Sequence, residues 1–316
     1  MTLSTILLKT PTLFQVPTSS FSPAFVEHCS LKWEQKSLIV SALNSRKTTN
    51  ANSGEGVPAL RNKTWLRDCL KRSPIKKIYL DPKIDESLLK AWANIGHETG
   101  KKVYLSVPPI TKLPQAKQPQ IWLTKRLADW LAAALLLIIL SPLMLVLAML
   151  IRLNSNGPIF FQQWRVGYQG QFFRIIKFRS MQLNAEAQHH QVMGNQIGLH
   201  KLKHDPRITN VGQWLRKYSL DELPQLFNVL LGQMSLVGPR PWAIYDAIRI
   251  RPELQKRLHA LPGITGRWQV EMRSQELDIS IVNHRDLSYL EAWSISEDLK
   301  FLLLTIPQVF KGISAY

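Results

Sequence analysis

Cysteine is nearly absent from this 316-residue chain, which holds only Cys29 and Cys69. Two cysteines exclude a disulfide framework and a cysteine-rich zinc cluster. Acidic residues are also scarce, since 22 Asp and Glu stand against 40 Lys and Arg and leave a formal net charge of +18. Such a surplus predicts an anionic partner, either nucleic acid or the acidic face of a bilayer.

Several familiar motifs are missing as well. Lys9 follows the first apolar patch, and no long apolar region or cleavage site comes after it, so we expect no signal peptide. His200 and His204 have the spacing of a helical metal pair, with His189 and His190 nearby, but no HExxH pattern is present. A solvated polar loop is the better interpretation. No nucleic-acid motif interleaves the ten tryptophans with the basic residues, so we expect no nucleic-acid partner.

One long apolar run, residues 130–151, is present, and Ser141 is its only polar side chain. It is long enough to cross a hydrocarbon core of about 30 Å. Being apolar all round, it does not suit a buried soluble helix, which leaves a straight span or a re-entrant hairpin. Basic residues on both sides suit two cytoplasmic ends. Pro142 should bend the helix near its middle, where Ser141 can hydrogen-bond the freed backbone. The pattern favours the hairpin.

The residues before this run divide by composition. Residues 1–60 are rich in Ser, Thr, Asn and Pro without a sustained period, which predicts a flexible arm. Residues 61–110 predict a small α/β module, with strands at 77–80 and 103–105 around a helix at 86–95, one βαβ-like unit. No glycine-rich phosphate loop follows its first strand, so we assign it no cofactor. Residues 111–124 contain prolines and lysines that are typical of a linker.

The rest of the chain predicts a mostly helical α+β protein. We assign residues 125–153 to the membrane helix and residues 154–316 to a compact domain. Gly167 and Gly170 predict a short β-hairpin, and helical stretches follow at 212–218, 224–232, 241–260 and 296–311. The last helix could pack in the core or lie on the membrane surface as an amphipathic helix.

Two adjacent carboxylates, Asp221 and Glu222, stand in a strongly basic stretch. One interpretation is a capping box formed by Ser219 and Glu222 before an apolar helix. Pro224 argues against that register, because its ring would meet the carbonyl of Leu220. A helix that begins near Pro224 would place both acids at its N-terminus, where phosphate binds readily. An exposed carboxylate among cations stays ionised, so it can attack phosphorus or hold Mg²⁺.

Cations accompany the dyad along the chain. Arg240 lies between Pro239 and Pro241, which stiffen its backbone and suit bidentate phosphate binding. A rigid turn with a solvated arginine explains these three residues equally well. Segments 177–181 and 205–209 supply further cations, and for each one taken singly a solvated charge is the simpler interpretation.

Residues from about 120 to 316 resemble the bacterial sugar transferase family, the monotopic polyprenyl-phosphate phosphoglycosyl transferases. The resemblance rests on an ordered series of motifs. These are Lys125-Arg126, Asp129, Ser141-Pro142, Gln163-Trp164-Arg165-Val166-Gly167, Lys177-Phe178-Arg179-Ser180-Met181, Asp205-Pro206-Arg207-Ile208-Thr209, Leu220-Asp221-Glu222-Leu223-Pro224-Gln225, Val237-Gly238-Pro239-Arg240-Pro241 and Pro262-Gly263-Ile264-Thr265-Gly266. No single motif is decisive, but the ordered set is specific.

The resemblance implies a re-entrant helix broken at Ser141-Pro142, in a protein of the bacterial inner membrane with its catalytic domain on the cytoplasmic face. It implies a Mg²⁺-dependent reaction of a UDP-sugar with polyprenyl (undecaprenyl) phosphate, giving a polyprenyl-diphosphate-sugar and UMP. Asp221 would be the nucleophile and Glu222 the Mg²⁺ ligand. The substrate-binding residues would be Arg165, Lys177, Arg179, Arg207, Pro239, Arg240 and Pro241. Anionic membrane lipid and a second copy of the chain are further expected partners.

The chain also departs from the family pattern. Met272 stands where many members have glycine, which affects the loop expected near the sugar, and the first 120 residues lie outside the catalytic domain. The rival function is a non-enzymatic basic membrane protein that gathers anionic lipid or a partner. A UMP-release assay with UDP-sugars separates the two.

Overall fold

The computed structural model describes residues 29–42, 63–108, 119–188, 192, 205–271 and 278–310. They belong to two compact units, Met1–Ser106 and Val107–Tyr316.

The first unit is a four-stranded sheet with two helices. Its elements are β1 (Cys29–Glu34), β2 (Ser37–Ala42), α1 (Lys63–Arg72), β3 (Lys77–Leu80), α2 (Glu86–Glu98) and β4 (Lys102–Leu105). The strand order is β1-β2-β3-β4, in which β1 pairs antiparallel with β2 and the other pairs are parallel. The predicted βαβ unit is confirmed, and the apolar side of α2 is buried in its core.

Strands β1 and β2 correct the prediction of a flexible arm over residues 29–42. Leu38 and Val40 of β2 are fully buried and pair with Ile78 and Leu80 of β3. An isolated hairpin is marginal in water, so this one depends on β3, about forty residues later in the chain. Residues 1–28 and 43–60 of the predicted arm lie outside the described residues, as does most of the predicted linker.

The second unit combines one long helix with short helices and two small sheets. Its elements are α3 (Pro119–Asn154), β5 (Phe160–Val166), β6 (Phe172–Phe178), α4 (Asn210–Lys217), α5 (Gln225–Leu230), β7 (Ser235–Val237), β8 (Trp242–Ala243), α6 (Ile244–Ala247), β9 (Gly263–Thr265), α7 (Arg267–Glu271), α8 (Ile279–Glu291) and α9 (Ile295–Phe310), with 3₁₀ turns at Tyr168–Gly170, Leu220–Glu222 and Pro252–His259. Strands β6, β5 and β8 form an antiparallel sheet in that order, and β7 pairs parallel with β9.

Most of the predicted elements of this unit are confirmed. The β5–β6 hairpin turns through Gly170, which adopts a φ of 77° that favours glycine. The predicted helix over residues 241–260 is wrong, since a strand, a one-turn helix and a 3₁₀ turn beginning at Pro252 occupy it. Helix α8 was missed because Asn283 and Asp286 are buried in the core, which hides its apolar period.

Helix α3 is long and apolar enough to cross a membrane, and most of its apolar stretch is exposed. The exposure excludes a core helix. The helix continues through Pro142, and Ser141 Oγ donates to Ile138 O at 2.8 Å. Ile138 O is the carbonyl that Pro142 leaves without its helical donor, so the predicted role of Ser141 is confirmed. A break that turns this helix into a hairpin stays a prediction.

One stripe of α3 packs against the rest of the unit along almost its whole length. Trp122, Ala133 and Leu140 join the core beside α5 and β7, and Leu147 and Ile151 join a second cluster with Phe178 of β6. These residues are 11, 7, 7 and 4 positions apart, close to whole numbers of helical turns, so they share one helical face. Both halves of the helix therefore contact the same compact unit.

The start of α3 is held by a buried polar network. Lys125 Nζ lies 2.8 Å from Asp298 Oδ2 and 3.3 Å from Asp129 Oδ2, and Ser235 Oγ donates to Asp129 at 2.6 Å. Arg126 donates to Met234 O at 2.9 Å. Lys125 and Arg126 therefore bind groups inside the protein. The basic residues that flank the apolar run are accordingly weaker evidence for the orientation of the helix in a membrane.

Candidate active site

The Asp221–Glu222 dyad lies in the 3₁₀ turn that leads into α5. Ser219 has a left-handed φ of 55° and makes no side-chain cap, so the capping box does not form. Helix α5 begins at Gln225 after Pro224, as the proline predicted. It has only six residues. A helix this short has too weak a dipole to bind phosphate by itself, so the chemistry of the site depends on its side chains.

Asn228 of α5 positions the dyad against strand β6. Its Oδ1 accepts from Ile176 N at 2.9 Å, and its Nδ2 donates to Arg174 O at 2.8 Å. This fully buried bridge brings Lys177 of β6 beside the dyad, with Nζ 2.7 Å from Glu222 Oε1. The Lys177–Glu222 ion pair is largely shielded, because each side chain is less than one-fifth exposed.

Asp221 is buried, although the sequence predicted an exposed carboxylate. Burial raises the pKa of Asp221, and the neighbouring charge of Glu222 raises it further. Lys177 and Arg216 act in the opposite direction on the same pKa. The ionised form of Asp221 therefore depends on these cations.

A small cleft opens beside the dyad. Its lining includes five of the predicted site residues, Arg165, Lys177, Glu222, Arg240 and Pro241, together with Ile175, Gln225, Gly263, Ile264 and Gln269. Burial lowers the pKa of Arg165 and the charge of Arg240 lowers it further, while Tyr245, Asp246 and Glu186 raise it. Among the described residues, no carboxylate forms a salt bridge with either group. Two neighbouring cations in a cleft suit a phosphate or diphosphate.

Arg240 is held more firmly than its flanking prolines predicted. Its guanidinium lies 5.0 Å from the centre of the Trp268 ring. Its carbonyl accepts from Arg257 Nη2 at 2.7 Å, and Arg257 is fully buried in an ion pair with Asp286 of α8. Burial raises the pKa of Asp286, and Arg257 and the backbone N–H of Arg240 act in the opposite direction on it. The Arg257–Asp286 pair therefore fixes the backbone that carries Arg240.

Close packing between Gly238 and Gly263 positions the segment that carries Arg240. A Cβ on Gly238 would lie 2.4 Å from Leu261 O, and one on Gly263 would lie 2.1 Å from Gly238 N. Pro239 is buried next to them, and its carbonyl accepts from Gly263 N at 2.9 Å. The glycine-rich turn at 262–266, weak in the sequence alone, therefore forms one wall of the cleft.

Arg179 and Arg207 do not line this cleft, so their predicted part in substrate binding stays a prediction. Arg179 donates to Ser155 O and Asn156 O at 2.8 and 2.9 Å and ties the end of α3 to β6. Arg207 makes two bonds to Asp205, at 2.7 and 2.8 Å, and a third to Ala185 O. Both guanidinium groups are buried in structural contacts.

A metal ion would find few protein ligands here. No group of three or more His, Cys, Asp or Glu residues suited to a metal is present in the part of the chain that the structure describes. Mg²⁺ is commonly held by one or two carboxylates together with substrate phosphates, and the dyad fits that pattern. The four histidines discussed above and Met272 lie outside the described residues.

Sequence reasoning missed several residues that build the site. Gln225 and Gln269 line the cleft, Arg216 acts on the pKa of Asp221, and Arg257 supports Arg240. Asn228, Arg216 and Gln225 stand in or beside quoted motifs, so the signal was present, but their partners lie far away in the chain.

The chain is similar to known proteins over the range that contains this site. The profile described as bacterial sugar transferase matches residues 120–312. The chain is 42% identical over 202 residues to a UDP-glucose:undecaprenyl-phosphate glucose-1-phosphate transferase of Caulobacter vibrioides, covering 61% of this chain and 72% of that protein. It is 40% identical over 199 residues to the galactosyl transferase CpsE of Streptococcus agalactiae, covering 61% and 43%. It is 35% identical over 219 residues to the exopolysaccharide production protein ExoY of Rhizobium meliloti, covering 64% and 92%.

The match spans less than half the length of the Streptococcus agalactiae relative, and residues 1–119 lie outside the matched profile. The matched range includes helix α3, the dyad and every residue that lines the cleft. The chain belongs to the bacterial sugar transferase family.

Proposed function

We propose that this protein transfers a sugar 1-phosphate from a UDP-sugar to a membrane polyprenyl phosphate, giving a polyprenyl-diphosphate-sugar and UMP. The reaction would be the first membrane step in the synthesis of an exopolysaccharide or another glycoconjugate. The observation that carries the proposal is the cleft beside the dyad, where Glu222 lies with Lys177, Arg165 and Arg240, and where Asp221 is buried next to Glu222 in the chain. The names of the Caulobacter vibrioides and Rhizobium meliloti relatives support the same reaction and the same process.

The proposed chemistry gives each charged side chain of the site a role. An Asp221 oxygen attacks the β-phosphorus of the UDP-sugar, the bond from that phosphorus to the bridging oxygen breaks, and UMP leaves with the electron pair. An oxygen of the polyprenyl phosphate then attacks the phosphosugar-aspartate and releases Asp221 unchanged. Arg165 and Arg240 bind the diphosphate, and Lys177 lowers the pKa of the nucleophile. Glu222 would hold Mg²⁺, which would neutralise charge on the diphosphate.

We also propose that α3 is re-entrant, with both ends on the cytoplasmic face of the bacterial inner membrane. A helix that crosses a bilayer is surrounded by lipid over its middle 20 residues. The packed stripe of α3 instead contacts one compact unit at both ends and between them. Helix α9 supports the same placement, because Phe301 is buried while Leu299, Leu303 and Ile306 are exposed. Association of two copies of the chain stays a prediction.

Cysteine labelling tests this topology. In a background without Cys29 and Cys69, single cysteines at Gln120 and Asn154, both exposed, should resist a membrane-impermeant thiol reagent in intact cells. Both should react after the membrane is permeabilised. Pro142→Leu should make some Gln120→Cys molecules reactive, because it supplies the backbone N–H that the helix lacks at this position and so favours a straight span. Labelling of only one end in the parent protein would show a true span.

The pH dependence of the reaction tests the electrostatics of Asp221. Because the pKa of Asp221 is raised, the acid limb of kcat/KM should lie above the ordinary Asp range, and activity should fall as the carboxylate takes up a proton. Lys177→Gln removes a charge that lowers this pKa, so the acid limb should move to still higher pH. The control is Lys217→Gln, which makes the same charge change at a residue that stacks on Tyr218. Equal shifts in the two variants would contradict the assignment.

A UMP-release assay tests the function itself. The purified protein, polyprenyl phosphate and Mg²⁺ should release UMP with at least one member of a UDP-sugar panel, and omission of the lipid phosphate should stop turnover. The active donor also identifies the sugar. If no donor releases UMP while the protein still binds acidic vesicles, the non-enzymatic membrane-binding function becomes the better account.

A further inference from the structure

The first unit has a concentration of lysines at one end of its sheet. Lys36, Lys76 and Lys101 directly precede β2, β3 and β4, and Lys77 and Lys102 are the first residues of β3 and β4. These five lysines, here called the lysine edge, are up to 66 positions apart in the sequence. The parallel pairing of β2, β3 and β4 brings the beginnings of all three strands to the same end of the sheet.

Backbone contacts fix this convergence. Lys76 N donates to Lys36 O at 2.8 Å, and Lys102 N donates to Lys76 O at 3.1 Å. Lys101 Nζ donates to Ser73 O at 3.0 Å, which places the basic end of helix α1, Lys71 and Arg72, at the same end of the unit. All of these side chains are exposed except that of Lys101, which is half-buried.

Two properties distinguish the lysine edge from an ordinary solvated surface: its excess of positive charge and a neighbouring exposed tryptophan. In the described part of the unit, two acids lie at this end, Glu34 on β1, which pairs with Lys32 at 2.6 Å, and Glu98 at the end of α2. At the opposite end of β3, Asp81, Asp85 and Glu86 outnumber Lys83 and Lys90, so the excess of positive charge lies at the lysine edge. Trp33, exposed over about one-third of its surface (36%), stands next to the β1–β2 turn at the basic end. Tryptophan beside lysines is typical of side chains at a membrane–water interface.

We infer that the lysine edge docks the first unit onto an anionic lipid surface. The inference rests on the proposed membrane attachment of α3 and lies outside the residues matched by the family. Only thirteen residue steps separate Ser106 from Pro119, the first residue of α3, so an extended connection spans at most about 45 Å. This covalent limit holds the unit at a high effective concentration next to the bilayer, which favours lipid over a soluble polyanion as the occupant.

Site-specific quenching tests the inference with the full chain. In a background of Cys29→Ala and Cys69→Ser, a fluorophore is placed at Pro74→Cys, beside the lysine edge, or at Lys83→Cys, beyond the other end of β3. The protein is bound to phosphatidylcholine vesicles with or without phosphatidylglycerol, each with a nitroxide-labelled headgroup. The label at position 74 should be quenched more strongly in the anionic vesicles, and added salt should relieve the difference. The label at position 83 should respond equally to both compositions.

Matched charge variants sharpen the test. A lysine near an anionic surface favours binding by about fivefold, so the triple variant of Lys76, Lys77 and Lys102 to Gln should weaken docking roughly 100-fold. The same charge change at Lys63, Arg67 and Lys83, away from the lysine edge, should leave the quenching at position 74 nearly unchanged. Equal quenching at positions 74 and 83, or an unchanged signal in the lysine-edge variant, would overturn the inference. The inference would also be overturned if the fluorescence of the label at position 74 did not respond to lipid but responded to a single-stranded oligonucleotide.

The result is separable from the proposed function. If the chain does not float with neutral vesicles, the proposed attachment through α3 fails. If the chain floats with both vesicle types, releases UMP and shows no difference between the two labels, only the lysine-edge inference fails.

Discussion

Asp221→Asn should reduce UMP release by a factor on the order of 10³ or more while the protein stays folded. The substitution removes the attacking oxygen anion, so the covalent step cannot occur. Wild-type protein incubated with UDP-sugar and without lipid acceptor should carry a phosphosugar adduct that intact mass detects, and the variant should not. Turnover and adduct formation by the variant at the wild-type rate would exclude Asp221 as the nucleophile.

The thermal stability of the Asp221→Asn variant provides a second, independent test. The folded-state pKa of Asp221 is raised by burial, so its contribution to stability is fully present at low pH and is lost as the pH rises through that pKa. At neutral pH an uncharged Asn avoids this loss, and the thermal midpoint of the variant should equal or exceed that of the wild type. Asp278→Asn is the matched control, since its side chain caps α8 by accepting from Ser280 N at 3.0 Å and Asn can do the same. It should change neither activity nor midpoint.

Arg257→Met should destabilise the protein strongly, by about 3–5 kcal/mol, because it leaves the buried Asp286 carboxylate without its partner. The double variant Arg257→Met, Asp286→Leu should recover most of that loss, since neither charge remains buried alone. It still lacks the donor to Arg240 O, so the arginine in the cleft should be less well positioned. We expect a near-normal unfolding midpoint together with a KM for the UDP-sugar raised about tenfold.

The Asp205–Arg207 pair provides the control for this experiment. It is also buried and is doubly hydrogen-bonded, but it lies outside the cleft. The double variant Asp205→Leu, Arg207→Met should leave the KM for the UDP-sugar unchanged, whatever it does to stability. A wild-type KM in the Arg257 and Asp286 double variant would show that the two prolines position Arg240 without help.

The sequence alone determined the features that depend on local residues. The apolar run, the start of α5 after Pro224, the β5–β6 hairpin and the α2 unit all follow from short patterns. The bond from Ser141 Oγ to Ile138 O was also predictable, because the missing N–H of Pro142 frees that carbonyl three residues before the serine. The family followed from the order of the motifs, since each motif is continuous in the chain.

The tertiary structure decided everything that depends on partners far apart in the sequence. Asp221 is buried and Lys177 pairs with Glu222 because Asn228 ties α5 to β6, a contact across about fifty residues. Arg179 and Arg240 are both arginines in basic motifs, yet one bonds carbonyls at the end of α3 and the other enters the cleft. Composition cannot distinguish them, because the pKa of a buried group and the use of a guanidinium depend on which distant residues the fold places beside it.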